Sequence, residues 1–216
     1  MNLLGLSALF AGGLLFAGVL TPMILRRQLM VRLYATASLF LAGLTITLAL
    51  LHNSPHLYLA AGATILIKVL AIPMIIEHMA RRARASTRLT SKVRPTTTLF
   101  LVVGVLMLVM FSLRGSSFFQ TVEPSYMLFV SVSMVLIGFL MMVLRRDIFS
   151  EIIGFLTLEN GISLFGIVTI GSGPVMVEMG IFSAILIGAV LMTLLSRRIC
   201  ELYGTDSTDP MNELID

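Results

Sequence analysis

Seven apolar runs, most of them close to twenty residues long, are the feature that most limits what this chain can fold into. They cover about 3–25, 33–51, 57–79, 97–113, 126–144, 148–170 and 175–196, with short polar stretches between them. A helix needs ~20 apolar residues to cross a hydrocarbon core of ~30 Å. No water satisfies backbone amides at that depth, so runs of this length read as helices. Hydrophobic residues make up 57% of the chain and charged residues 12%, too little polar surface to cover a soluble domain of this size. The sequence predicts an all-α, polytopic membrane bundle of seven transmembrane helices. The first run has no basic residue before it and is too long for a signal h-region, so it reads as a retained helix.

Charge placement sets the expected topology. The net charge is +4, but the basic residues sit in short clusters between apolar runs, as topology signals do, and no aromatic residues interleave them to stack on bases. That argues against nucleic acid as a partner. Of fifteen Lys and Arg residues, all but Lys68 and Arg114 fall at one membrane face if the N-terminus is outside and the C-terminus cytoplasmic. The densest cluster, the loop at 80–96, is expected to touch anionic lipid or a partner protein. Four helices in 1–113, three in 126–198 and a polar cytoplasmic tail at 199–216 complete the predicted organisation.

Two charges fall inside the runs. Glu159, followed by Asn160, lies about halfway along RRDIFSEIIGFLTLENGISL, and Lys68 lies at the middle of TILIKVLAIP. A charged side chain at mid-bilayer depth costs about 2.5–3.5 kcal/mol on insertion scales and marks an ion or proton pathway by default. Pro73 removes the N–H that would serve the carbonyl of Val69 in an α-helix, leaving an acceptor near the Lys68 ammonium. Ser163 is an i,i+4 neighbour of Glu159, and Gly154 and Gly161 allow close approach of another helix. Glu151, two turns nearer the cytoplasmic end, reads equally as a water-linked relay carboxylate or a helix-start acid favoured by the dipole. Glu178, one turn into the seventh run, reads equally as a dipole-favoured N-terminal acid or as an exit or side pocket of the path. Glu77 belongs with His78, Arg81 and Arg82 in an interfacial charge cluster.

His52 and His56 have the spacing of a helical metal pair, but Pro55 interrupts the helix between them, so both read as solvated interfacial residues. The lone Cys200 excludes an internal disulfide. No nucleotide loop, zincin or haem motif is present, so the chemistry expected is proton movement, with any driving energy supplied by a partner.

RRDIFSEIIGFLTLENGISLFGIV and its flanking runs resemble the three-helix K subunit of respiratory complex I and the C subunit of Mrp-type cation/proton antiporters. The whole chain, with IKVLAIP and LENG, resembles the E component of hydrogenase-4 and formate hydrogenlyase-type complexes. The resemblance implies a non-catalytic subunit in the membrane arm of a redox-driven complex in a prokaryotic cytoplasmic membrane. It implies antiporter-like membrane neighbours and hydrogenase and iron–sulfur subunits, with iron–sulfur clusters and a nickel–iron site in those partners and no cofactor in this chain. It places Lys68, Glu159 and Asn160 on a hydrophilic axis and matches Glu178 to an acid of the hydrogenase-type members. The K-type glutamate would fall one turn earlier, at Leu156, and the second K-type acid near Ser183 or Ala184. The alternatives are a structural subunit bridging antiporter-like neighbours, an Mrp-type antiporter subunit or a stand-alone transporter.

Overall fold

The computed structural model describes residues 3–82, 93–114 and 125–170. The seventh run with Glu178, Ser183 and Ala184, the tail with Cys200, and most of the basic loop lie outside the described residues. Within them the chain is helical: α1 (Leu3–Leu20), α2 (Arg27–His52), α3 (Pro55–Ala63), a π-helical segment (Thr64–Ala71), α4 (Ile72–Arg82), α5 (Pro95–Arg114), α6 (Ser125–Leu144) and α7 (Ile148–Ile170). The segment from α3 to α4 is continuous and counts as one span, giving six helices long and apolar enough to cross a membrane among the described residues.

Local chemistry sets the boundaries. Thr21–Met23 closes the first span as a single 3₁₀ turn around Pro22. α2 ends where Asn53 adopts φ 52°, the left-handed cap that Asn tolerates better than most residues. Pro55 then occupies the first turn of α3, where a missing N–H costs nothing. His52 and His56 are both exposed on the two sides of this turn. Asp147 starts α7, its Oδ1 accepting the Ser150 backbone N–H at 2.8 Å. The second span begins at Arg27, earlier than its apolar run suggests. Arg27 is buried, with its guanidinium 5.6 Å from the centre of the Phe149 ring, so a cation–π contact brings a charged residue into the packed helix.

α2 is the hub of the bundle: it packs against α1, against the span from α3 to α4, and against α7. α6 and α7 form the tightest pair. A Cβ added at Gly138 of α6 would lie 2.6 Å from the Gly154 carbonyl oxygen, and one at Gly161 of α7 would lie 2.6 Å from the Val135 nitrogen. Backbone meets backbone at both places, which is how helices associate in lipid without a hydrophobic driving force between them. α5, by contrast, is largely exposed, with Phe100, Met107 and Phe111 turned outward.

Two buried apolar clusters divide the bundle along its length. One combines Met30 and Tyr34 of α2, Ile72 and Ile76 of α4, and Phe149 to Leu156 of α7. The other combines Leu14 of α1, Leu41 and Leu48 of α2, Leu57 of α3, Met134 of α6 and Leu164 of α7. Beyond the first cluster, the α1–α2 and α6–α7 turns meet. Arg145 Nη2 donates to the carbonyls of Pro22 at 2.6 Å and Ile24 at 2.7 Å. Burial pulls the Arg145 guanidinium below its usual pKa, and the charge of Asp147 opposes that shift. The basic turns after the first and fifth runs therefore share one end of the bundle.

Gly138→Ala should lower the melting temperature of the purified protein, because the added methyl must push α6 and α7 apart at a cost of about 1–3 kcal/mol. Gly104→Ala, with nothing within 4 Å of the added Cβ, should be neutral or stabilising in the same thermal unfolding assay.

Candidate functional site: a buried lysine–glutamate pair

Between the two apolar clusters, three helices bring their polar residues to one point. Lys68 comes from the π-helical segment, Ser38 from α2, and Glu159, Asn160 and Ser163 from α7. Lys68 Nζ donates to Glu159 Oε1 at 2.6 Å, to Asn160 Oδ1 at 3.2 Å and to Ser163 Oγ at 3.1 Å. Ser163 Oγ in turn donates to the same Glu159 oxygen at 2.6 Å, which closes a ring of ammonium, carboxylate and hydroxyl. Asn160 Nδ2 donates to Ser38 Oγ at 3.1 Å and ties the ring to α2. Lys68 and Glu159 are each 1% exposed and Asn160 is fully buried. Ser163 is only half-buried, so it forms the rim of the cluster.

The geometry follows from local sequence. Glu159 and Ser163 are one α-helical turn apart, so both reach Nζ from the same face of α7. Asn160 is the next residue round and points one arm to Lys68 and the other to Ser38. Lys68 sits in a stretch where bonding runs i to i+5: the Ile72 N–H donates to the Ile67 carbonyl. This corrects the α-helical expectation for Pro73. In the wider ladder its nitrogen, which has no hydrogen, falls opposite the carbonyl of Lys68 rather than that of Val69. Three side chains of α7 accept from the ammonium.

Other candidate residues lie elsewhere. Glu151 is half-buried in the first turn of α7, its backbone N–H bonded to the Asp147 carbonyl, and Ile152, Ile153 and Leu156 lie along α7 between it and Glu159. Leu156, the position matched by the K-type glutamate, is fully buried in the apolar cluster. Glu77 pairs with Arg81 at 3.4 Å on the surface of α4. Glu178 lies outside the described residues. Among those residues, no three His, Cys, Asp or Glu side chains gather as a metal site.

Two residues of the site escape a reading of the sequence. Ser38 lies one helical turn from Tyr34, whose hydroxyl is buried beside it without reaching hydrogen-bond geometry and within the field of Glu159. Glu159 Oε2 is likewise buried with no hydrogen-bond partner among the described residues. Unpaired oxygens of this kind are costly in a dry interior, so they mark places where a proton or a polar group is welcome.

Residues 126–216 match the family of NADH-ubiquinone/plastoquinone oxidoreductase chain 4L. Hydrogenase-4 component E of Escherichia coli (strain K12) is 27% identical to this chain over 172 residues, 80% of each protein. An uncharacterized protein of Mycobacterium tuberculosis (strain H37Rv) is 26% identical over 211 residues, 95% of this chain and 94% of its own. No solved structure matches. The resemblance read from the LENG and IKVLAIP segments is borne out, with the chain 4L likeness confined to the C-terminal part and the hydrogenase-type likeness extending over most of the chain.

Lys68→Met and Glu159→Gln should each destabilise the protein by about 3–5 kcal/mol, because each leaves a buried group without its partner. The double variant should recover much of that loss in a thermal unfolding cycle. If the two effects simply add, the residues are not coupled as this geometry requires.

Proposed function

We propose that this chain is an integral membrane subunit of a redox complex related to hydrogenase-4 and complex I, and that Lys68 and Glu159 carry charge in its proton path. The observation that carries this reading is the direct 2.6 Å contact between Lys68 and Glu159, buried partway along two membrane-spanning helices. The likeness to a hydrogenase-4 component and to chain 4L supplies the kind of assembly.

The physics of the pair suits a relay. An ammonium and a carboxylate in contact have no net charge, so each offsets the cost of burying the other. In a low-dielectric interior a third charge a few ångströms away shifts that balance far more than it would in water. A positive charge arriving in a neighbouring subunit pulls the carboxylate away from Lys68, and its departure lets the pair close again. Ser163, bonded to both and sited at the rim, is positioned to pass a proton sideways. Asn160, held by Ser38, fixes the distance at which the pair re-forms. Glu151 would feed the axis from the basic end through the apolar layer, and Glu178 would continue it into the last segment.

In this reading the basic end faces the cytoplasm, the N-terminus lies outside, and a seventh helix returns the C-terminus to the cytoplasm of a prokaryotic cell. Antiporter-like subunits flank the chain, and hydrogenase and iron–sulfur subunits supply the redox energy. A second reading has its own support: the pair is closed off between two apolar clusters, as suits a latch that positions neighbouring subunits without moving protons.

One substitution separates the two readings. Glu159→Gln, in the complex purified with a tag on this chain and identified by mass spectrometry, should leave the subunits together and the redox activity in detergent intact. Proton uptake by proteoliposomes should fall at least tenfold. Undiminished uptake would remove Glu159 from the path, and a complex that falls apart while this chain itself stays folded by circular dichroism would favour the latch.

A further inference from the structure

Below Pro73 the α4 helix packs on α2 more sparsely than the π-helical segment does. The two helices leave a groove of ≈ 500 Å³ at the basic end of the bundle. Arg32 and Gln28 line it from α2, and His78, Arg81 and Glu77 line it from α4. Arg32, His78 and Arg81 are exposed, so their cationic or donor groups face the groove rather than the core. Glu77 is the one acid lining it. It is tied to Arg81 at 3.4 Å and orients that guanidinium, while Arg32 has no acidic partner among the described residues.

The groove has a depth and a direction. It lies where the second span begins, at Arg27, and where the third ends, at His78, which is the level of phospholipid phosphates. Met74 forms its inner wall, and from there Leu70 and Leu66 follow at intervals of four residues up the same helix. These three side chains are 69%, 50% and 65% exposed. A cationic pocket at the interface thus opens onto a strip of apolar side chains running into the hydrocarbon layer.

We propose that this groove binds one anionic glycerophospholipid. Its phosphodiester lies between Arg32 and Arg81, its glycerol hydroxyls or esters meet Gln28 and His78, and one acyl chain follows Met74, Leu70 and Leu66. Basic pockets between transmembrane helices at the cytoplasmic face recognise lipid headgroups in this way, and guanidinium groups match a phosphate by paired hydrogen bonds. The lipid fills the space between α2 and α4 directly below the segment that carries Lys68, so it would also brace that segment. The inference does not depend on proton transfer.

Native mass spectrometry of the full chain in detergent tests it, using phosphatidylglycerol and phosphatidylethanolamine with matched acyl chains. The protein should retain phosphatidylglycerol in preference, with one molecule bound most tightly. Arg32→Gln combined with Arg81→Gln should weaken that retention on the order of thirtyfold, the joint effect of two basic contacts. Arg32→Lys with Arg81→Lys should keep most of it. Both residues are exposed, so an unchanged far-ultraviolet dichroism spectrum is expected for each variant. Equal retention of the two lipids, or no loss in the Gln variant, would overturn the proposal. Glycerol 3-phosphate competing as well as the lipid would also overturn it, because the apolar strip would then have no role. So would a neighbouring subunit found covering Arg32 and Arg81 in the intact complex.

Discussion

An ammonium group inside a bilayer is held there only if something compensates it, and the arrangement of this bundle depends on that requirement. The desolvation cost of a lone ion amounts to several kcal/mol even after relaxation, and attraction to a counter-ion repays it only when the remaining hydrogen bonds are made. Lys68 meets that condition with three acceptors, all from α7. To do so, the third span must lie against α2 and reach past it to α7. α2 contributes its own hydroxyl, Ser38, at the point of crossing. A change that moves any of the three helices by an ångström separates charges that cannot be hydrated where they are.

The rest of the packing can be understood as holding that crossing in place. α7 is fixed from behind by α6, where Gly138, Gly154 and Gly161 let the two backbones touch. It is fixed at its start by Asp147 and by Arg145, whose bonds to the Pro22 and Ile24 carbonyls tie the α6–α7 turn to the α1–α2 turn. Above and below the ion pair, Leu, Ile, Met and Phe side chains fill the interior. They exclude water from the pair along the bundle axis and leave the half-buried Ser163 as the polar edge. Among the described residues the pair is sealed at both ends by apolar side chains and bounded on one side by a hydroxyl.

Much of this was legible in the sequence, and the parts that were not have physical reasons. Insertion cost singles out Lys68 and Glu159 by depth alone, since depth along an apolar run can be counted. Their direct contact could not be counted, because it depends on which way two helices face. Ser38 was hidden by its company. Hydroxyl residues in spanning helices commonly bond back to their own helix, as Thr45, Thr64 and Thr157 do here. Nothing in the local sequence distinguishes the one that serves another helix. The early start of α2 was hidden for a different reason: hydropathy treats Arg27 as a boundary, while the Phe149 ring makes it part of the core. The six described spans match the first six apolar runs closely, because the turn chemistry of Pro22, Asn53–Pro55 and Asp147 is local.

The π-helical segment joins the pattern to the site. Ala60, Thr64, Lys68, Ile72, Ile76 and Ala80 are all buried, a stripe with a strict interval of four. In an α-helix each step of four residues overshoots a full turn by about 40°, so such a stripe would wind steadily away from its partner. Over the two steps from Thr64 to Ile72 the drift would be about 80°, enough to turn either Lys68 or the Ile72–Ala80 half out of the bundle. Widening the turns to i→i+5 bonding between Thr64 and Ala71 takes up that drift where it accumulates. Pro73 makes the adjustment less costly, because one N–H of the α-helical ladder is already missing there. The same underwinding keeps Lys68 on Glu159 and Ile76 in the apolar cluster. A sequence that placed its lysine on an ordinary 3.6-residue stripe would have needed no π turn. By using an interval of four, this chain makes the position of its buried charge depend on a segment whose hydrogen bonding is poorer than that of the helices on either side.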